Sequence, residues 1–227
     1  MKAMILAAGR GVRLRPLTDT TPKPLLLAGG KPLIVWHLEK LARAGFAEVV
    51  INHAHLGAMI EDELGDGSKF DLALYYSPER EALETAGGIA LAMPLLGAEP
   101  FLVINADIYS DYELASLRTL QLGDKLAHLV LVDNPPQHPH GDFCLELGRV
   151  RESGKPMLTF SGIGVYAPRL FGGIPSGAKV PLAPLLRKAM GADRISGEHF
   201  RGRWHDIGTV ERLQALDAEL RTNLAPA

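Results

Sequence analysis

The sequence feature that most constrains the fold is a short apolar run that ends in a cationic, glycine-rich turn. Residues 4–8 have the composition of a buried strand, and Gly9 and Gly11 follow directly. Four cationic residues lie in this turn and the segment after it: Arg10, Arg13, Arg15 and Lys23. Glycines permit positive φ and let backbone N–H groups converge, so backbone donors and side-chain cations can surround one anion. The pattern therefore indicates a strand followed by a loop that binds a polyphosphate.

Two common phosphate-binding motifs are absent from this stretch. The dinucleotide-binding fingerprint requires a third glycine where this chain has Leu14, and no G-K-[ST] tripeptide follows Gly9. A solvated basic turn is the remaining alternative. Prolines at positions 16, 22 and 24 argue against it, because they stiffen a loop that would otherwise have no reason to be rigid.

Length and composition limit the class of protein. With 227 residues, of which 47% are hydrophobic and 22% charged, the chain has an ordinary globular composition, and its length fits a single domain over residues 1–227. A net charge of −2 provides no basic surface for nucleic acid or an anionic membrane, so neither partner is expected. The first strand begins too early to follow a signal peptide, and no apolar run approaches ~18 residues. We therefore expect a cytoplasmic protein.

Cys144 is the only cysteine, which excludes an internal disulfide and a cysteine metal cluster. Its expected role is that of a small buried side chain.

Apolar periodicity predicts strands and helices that alternate along the chain. The predicted strands cover residues 4–8, 49–51, 72–76, 101–104, 128–133 and 157–166. The predicted helices cover residues 33–42, 55–64, 89–92, 112–121, 182–190 and 210–220. This order predicts an α/β fold: a Rossmann-like, doubly wound, mostly parallel mixed sheet with helices on both faces.

Polar residues follow the most apolar of these strands. Residues 101–104 read as a central strand covered on both faces, and Asn105 and Asp107 come at its carboxyl end, where open α/β sheets bind ligands. A carboxylate at that position must be solvated, paired or metal-bound, and beside a triphosphate it is well placed to hold Mg²⁺. The simpler alternative for Asp107 is a residue that starts a loop.

Two further groups of residues are candidates for the site. His53 and His55 stand at another strand end, but no third ligand lies near them, so the polar end of a strand is the favoured interpretation. Thr85 to Gly88 are small residues that lead into a helical run. A helix N-cap alone does not require two glycines, so we expect this segment to approach a ligand closely.

The whole string G-x-G-x-R-L-x-P-L-T, followed by P-K-P-L, resembles the signature of the nucleotidyltransferases that make nucleotide sugars from a sugar 1-phosphate and an NTP. The later string W-x-D-I-G-T, which contains Asp206, matches the second metal carboxylate of that family; by itself it could simply precede a helix N-cap at Thr209. The family's motifs span nearly the whole chain, and they imply Mg²⁺ as the cofactor.

The resemblance implies a role for each matching residue. The implied catalytic residues are Lys23, Arg13 and Arg15, with Lys23 at the α-phosphate and the arginines at the pyrophosphate end. The implied nucleotide-binding residues are Gly9, Gly11, Val12, Arg13, Lys23, Thr85 and Gly88, with Glu84 as a weaker candidate at the base. The implied sugar-binding residues are Asn105, Asp142 and Asp206, and the implied metal ligands are Asp107 and Asp206. An insertion at about 134–165 would form a wall of the sugar pocket. The family's lysine in an E-K-P string has no clear counterpart, because Lys155 stands in a broken string.

Shorter strings, LVLVDNP, GDF, TFSGI, LAPLL and SGEHFRGRW, narrow the resemblance to the family's uridylyltransferases of peptidoglycan recycling. The expected partners are UTP and a sugar 1-phosphate, and the expected assembly is a monomer or a small homo-oligomer. One alternative is a guanylyl- or cytidylyltransferase for another sugar phosphate or choline phosphate. A non-enzymatic alternative is a nucleotide-sugar sensor, although a sensor would not need two metal carboxylates.

Overall fold

Strands and helices alternate along most of the chain in the computed structural model, which describes residues 1–224 and the side chains of residues 1–222. The strands are β1 (Ala3–Leu6), β2 (Leu27–Ala28), β3 (Lys31–Pro32), β4 (Glu48–His53), β5 (Ala73–Pro78), β6 (Phe101–Asn105), β7 (Ile108–Ser110), β8 (Ala127–Val132), β9 (Phe143–Glu146), β10 (Arg149–Arg151), β11 (Met157–Tyr166), β12 (Ile195–Phe200) and β13 (Trp204–Asp206). The α-helices are α1 (Leu17–Thr20), α2 (Leu33–Arg43), α3 (Gly57–Leu64), α4 (Glu84–Leu96), α5 (Ala115–Arg118), α6 (Leu182–Gly191) and α7 (Val210–Leu224). The predicted α/β class is confirmed.

A nine-stranded mixed sheet organises these elements in the order β5-β4-β1-β6-β11-β8-β12-β10-β9. Strands β5, β4, β1 and β6 are parallel, and Ile5 of β1 lies between Ile51 of β4 and Ile104 of β6. Antiparallel β11 separates β6 from β8, and β12 runs parallel to β8. The carboxyl ends of the four parallel strands therefore meet at one edge, where β1 continues into the glycine turn and β6 delivers Asn105.

Helices cover both faces of this sheet. Ile5 and Ile104 pack with α2 and α3 in one core, whereas Met4 and Val103, one residue earlier on the same strands, pack with α4 and α6 in a second core. Successive strand side chains point to opposite faces, so a strand with two covered faces is apolar throughout. This double burial explains the uninterrupted apolar runs that marked these strands in the sequence, and it confirms the prediction of helices on both faces.

Two of the predicted helices differ most from their bounds in the structure. The helix predicted at 112–121 is reduced to α5, because Tyr112 and Leu114 are already buried in the segment that precedes it. Their apolar spacing reflects a connection packed on the core rather than a helical turn. Helix α4 begins at Glu84, so the small residues 85–88 form its first turn and do not precede it.

Two further observations concern the cysteine and the apolar character of the helices. Cys144 is buried, as expected for a small core side chain. Among the described helices, none combines the length and the apolar character that crossing a bilayer would require.

His37 on α2 gives the fold a testable pH dependence. Its side chain is only 5% exposed, and burial is the largest cause that lowers its pKa from 6.5 to about 4. The pKa of His37 is therefore lower in the folded protein than in the unfolded one. The contribution of the neutral imidazole to the unfolding free energy is fully present above pH ~6.5, and it is lost as the pH falls towards 4. The unfolding free energy of the wild type should therefore fall by about 2 kcal/mol more between pH 7.5 and pH 5 than that of His37→Leu. Urea unfolding of both proteins at the two pH values measures the difference; equal losses would contradict it.

Candidate active site

The glycine turn forms one wall of a cavity of about 300 Å³ at the carboxyl ends of β1 and β6. Ala7, Ala8 and Gly9 line it, and the backbone N–H of Ala7 donates to Asn52 Oδ1 over 2.9 Å. The buried amide of Asn52 thus fixes the point at which β1 leaves the sheet. The turn then continues through Gly11, whose φ of +66° lies in the left-handed region that favours glycine.

Lys23 projects into the same cavity from a short 3₁₀ helix, and its side chain is largely buried. Its Nζ lies 2.6 Å from Oδ2 of Asp107, whose side chain is 39% exposed. A buried ammonium requires a negative partner, and an incoming phosphate can replace a half-exposed carboxylate as that partner. The structure therefore brings the predicted phosphate-binding lysine and the predicted metal ligand into direct contact.

Asp206 reaches the same place through a two-stranded ribbon of β7 and β13. In this ribbon Asp206 is opposite Ile108, and the backbone N–H of Ile207 donates to the carbonyl of Asp107 over 2.8 Å. Both aspartates line one cavity of about 260 Å³. Asp206 at the end of β13 and Asp107 just before β7 are far apart in the sequence, but they are thereby held beside one opening.

Arg212 on α7 forms an ion pair with Asp206 that sequence reasoning missed. Its guanidinium also lies against Gly208, where a β-carbon would come within 3.1 Å of Arg13 Nη2. Arg13 and Arg212 therefore converge on the turn that follows Asp206. Each aspartate thus has a cationic partner, Lys23 for Asp107 and Arg212 for Asp206.

The donor set fits Mg²⁺ bound together with substrate. Within the described residues, no group of three or more histidine, cysteine or acidic side chains could hold a metal ion alone. Mg²⁺ commonly takes only one or two carboxylates and completes its octahedron with waters and substrate phosphates. Asp107 and Asp206 supply two hard oxygen donors beside Lys23, which matches this type of site.

The residues predicted to lie at the nucleobase occupy two different places in the structure. Thr85 and Glu84 line the first cavity, and Glu84 holds a positive φ of 61° although it is not glycine. Gly88 is buried behind that wall: a β-carbon would lie 2.5 Å from Glu79 Oε1 and 2.8 Å from Asn52 Nδ2. Its absence of a side chain thus serves the hydrogen-bonded Asn52–Glu79 pair, which the sequence did not reveal.

Two residues of the cationic loop point elsewhere. Arg15 pairs with Asp19 over 3.1 Å on the surface, and Val12 is 58% exposed. Neither lines the cavities described in this section, and the same holds for Gly11 and Arg13, which instead lie close to Lys23 and to Gly208 respectively. A nucleotide-binding role for Val12 and a catalytic role for Arg15 stay predictions.

A third cavity, also about 300 Å³, adjoins the first two through Asn105. Asp142 from the predicted insertion lines it, and the backbone N–H of Phe160 donates to Asp142 Oδ2 over 2.8 Å. Lys155 lines none of the three cavities. Instead, Lys179 lines the first cavity and Arg187 the third. Neither cation carries a motif in the sequence, so only the packing of the chain reveals them.

Gly11 gives a test of the turn. A β-carbon at this position would lie 3.0 Å from Thr18 Cγ2 and 3.2 Å from Lys23 Cβ, and it would also strain the positive φ. Gly11→Ala should displace Lys23 and lower nucleotide affinity on the order of tenfold or more. Titration calorimetry with UTP measures this; Gly148→Ala is the control, because Gly148 has a similar positive φ of 75° and open space for a β-carbon. Equal affinities in both variants would contradict the expectation.

Comparisons with known proteins show the family to which the chain belongs. Residues 2–145 match the family model for nucleotidyl transferases. The chain is 54% identical to the N-acetylmuramate alpha-1-phosphate uridylyltransferase of Neisseria meningitidis serogroup B, over 96% of this chain and 97% of that protein. It is 30% identical to the mannose-1-phosphate guanylyltransferase of Mycobacterium tuberculosis over 99% of this chain, but it spans only 66% of that protein's length.

Solved structures show the same fold at lower sequence identity. A Bacillus anthracis protein solved as a glucose-1-phosphate thymidylyltransferase superposes with a TM-score of 0.85 at 23% identity, covering 100% of this chain and 97% of that one. A UDP-glucose pyrophosphorylase superposes with a TM-score of 0.77 at 21% identity, covering 98% of each chain. From the matched family model and the high identity to a full-length relative, it follows that this chain belongs to the nucleotidyl transferase family.

Proposed function

We propose that the protein transfers a uridylyl group from UTP to N-acetyl-α-muramate 1-phosphate, forming UDP-N-acetylmuramate and pyrophosphate. The observation that carries this proposal is the 54% identity, over nearly the full length of both chains, to the meningococcal enzyme of that name. The cluster of Lys23, Asp107 and Asp206 supports transfer rather than binding alone, because a sensor of nucleotide sugars gains nothing from two carboxylates beside an anion site.

In the proposed reaction, an oxygen of the sugar phosphate attacks the α-phosphorus of UTP in line, and pyrophosphate leaves. One phosphoanhydride replaces another, so the protein has mainly to align two mutually repelling anions and to stabilise the charge that develops on the α-phosphoryl oxygens. The attacking phosphate is already anionic and needs no general base. When bound, Mg²⁺ would neutralise charge on both phosphates.

The side chains would divide this work according to their positions. Lys23 would move from Asp107 to an α-phosphoryl oxygen, since its Nζ already lies in the cavity next to the glycine turn. Arg13 would hold the leaving pyrophosphate, and Arg212 would share this role once Asp206 binds the metal. Backbone groups at Gly9 and Gly11, together with Thr85, would hold the nucleotide, while Asn105 and Asp142 would contact the sugar.

The wider setting follows from the product. We propose a cytoplasmic enzyme of peptidoglycan recycling, in which residues 1–227 act as one nucleotidyltransferase domain and the segment at about 134–165 forms part of the sugar pocket. The presence of Asp142, Phe160 and Gly162 among the residues that line the third cavity supports this role for the segment.

Guanylyl transfer is less well supported than uridylyl transfer. The guanylyltransferase relatives are 29–41% identical, against 54% for the uridylyltransferase, and the chain spans no more than 66% of their length. No feature of the described site favours guanine over uracil.

The test is a matrix of the four common NTPs and dTTP against the 1-phosphates of N-acetylmuramate, N-acetylglucosamine, mannose and glucose, with pyrophosphate release as the readout. The proposal expects the highest kcat/KM for UTP with N-acetylmuramate 1-phosphate. Faster turnover of GTP with mannose 1-phosphate would replace it with the guanylyl alternative. Binding of UDP-sugars without turnover of any pair would favour the sensor.

A further inference from the structure

The third cavity has a charge pattern that the transfer reaction does not require. Apolar side chains form most of its wall, and its carboxylates are Glu84 and Asp142. Among its lining residues the one cation is Arg187, on the second turn of α6. A cavity that received only a neutral sugar ring would have no need of a guanidinium at this position.

Arg187 is held so that it can change partners. Its Nε lies 3.2 Å from Glu152 Oε1, and the two side chains are 48% and 62% exposed. An ion pair this exposed contributes little to stability and is readily exchanged. Glu152 lies outside the cavity, so the guanidinium bridges the cavity rim and the surface.

The substrate proposed above carries a matching group. N-acetylmuramate is N-acetylglucosamine with a lactyl ether on O3, which adds one carboxylate and one methyl group. The 1-phosphate must face Asp107 and Lys23, and O3 is on C3, two ring carbons away from the phosphate-bearing C1. The lactyl carboxylate would meet repulsion from Glu84 or Asp142 except close to Arg187, whose planar guanidinium can bind a carboxylate in bidentate fashion. Its methyl group would contact the apolar wall, which includes Leu186.

We infer that Arg187 binds the lactyl carboxylate of the sugar substrate and thereby selects N-acetylmuramate 1-phosphate over N-acetylglucosamine 1-phosphate. This inference rests on the proposed function and adds the residue that sets its sugar specificity. It assigns Arg187 to substrate binding and not to the chemical step.

The experiment compares the two sugar 1-phosphates, with UTP and Mg²⁺, in the full-length wild type and in Arg187→Gln. The variant should raise KM for N-acetylmuramate 1-phosphate on the order of 10- to 100-fold, with a much smaller change in kcat, because it loses a charged hydrogen bond that is formed equally in the ground and transition states. Kinetics with N-acetylglucosamine 1-phosphate should change by less than about twofold. Titration calorimetry should show the same selective loss of affinity for UDP-N-acetylmuramate over UDP-N-acetylglucosamine.

Two control variants distinguish a loss of substrate recognition from a loss of structure and from a general change in charge. Lys188→Gln removes a charge from the neighbouring position of α6, which lines none of the cavities, and should leave both substrates unaffected. Glu152→Gln removes the competing partner of Arg187 and should keep or lower KM for N-acetylmuramate 1-phosphate. If Glu152→Gln raised that KM as much as Arg187→Gln did, the pair would merely brace the fold, and the inference would be wrong.

The outcomes also distinguish the inference from the proposed function. A wild type that turned over UTP with N-acetylmuramate 1-phosphate, together with an Arg187→Gln variant that kept the preference, would overturn the inference alone. A wild type with no turnover of that pair would overturn both.

Discussion

Asp107→Asn should lower kcat for UTP-dependent transfer by at least ~10³-fold. The substitution preserves the shape of the side chain but removes the charge that Mg²⁺ would need, and metal stabilisation of phosphoryl charge is worth several kcal/mol. It also removes the negative partner of Lys23, which lies 2.6 Å away and is largely buried. Because Asp107 is 39% exposed, the resulting loss in unfolding free energy should be only about 1–2 kcal/mol.

Pyrophosphate release under saturating substrates and urea unfolding measure these two effects separately. Asp111→Asn is the matched control, since Asp111 follows on the same segment but pairs with Arg203 over 3.0 Å, outside the three cavities. The control should keep kcat within about threefold. Turnover of Asp107→Asn close to that of the control would remove Asp107 from the metal site.

Lys23→Met should lower kcat by about 10²- to 10³-fold, the usual effect of removing one pre-organised donor from a site of developing negative charge. Its effect on stability should differ from that of Asp107→Asn. Methionine fills the volume of the largely buried lysine without a charge, and Asp107 left alone remains hydrated, so the unfolding free energy should change by less than about 1 kcal/mol.

The same two assays test this prediction, with Lys31→Met as the control. Lys31 forms an ion pair with Glu39, with 2.7 Å between Nζ and Oε2, and it does not line the first cavity. A Lys23→Met protein with near-normal kcat would contradict the role of Lys23 at the α-phosphate.

The positions of Asp107 and Asp206 illustrate what the sequence can predict. The apolar run of β6 predicts a central strand, and the rule that ligands bind at the carboxyl ends of such strands places Asp107 at the ligand-binding edge of the sheet. Asp206 was assigned only through the family resemblance. The β7–β13 ribbon that brings it next to Asp107 depends on pairing between distant short strands, for which single-sequence patterns carry little signal.

Arg187, Lys179 and Arg212 show why the rest of the site was missed. Each is a surface-type cation on a helix or loop without a motif, and its contact with the cleft depends on how that element packs on the sheet. The glycines of α4 have a packing reason in the structure, and a nucleotide-binding role for Gly88 stays a prediction. Gly88 makes room for the Asn52–Glu79 pair, and Gly87 makes room for the backbone carbonyl of Ala178. A sequence indicates that a backbone must approach something closely, yet it does not say whether that partner is a ligand or another part of the chain.

We propose that one metal ion, held by Asp107 and Asp206, brings two phosphates together beside Lys23. The decisive measurement is a crystal structure of the protein with UDP-N-acetylmuramate and Mg²⁺. We expect Mg²⁺ about 2.1 Å from one carboxylate oxygen of each aspartate, with the diphosphate bound between the metal and the turn at Gly9 and Gly11. A diphosphate bound away from that turn, or a metal coordinated by neither aspartate, would contradict it.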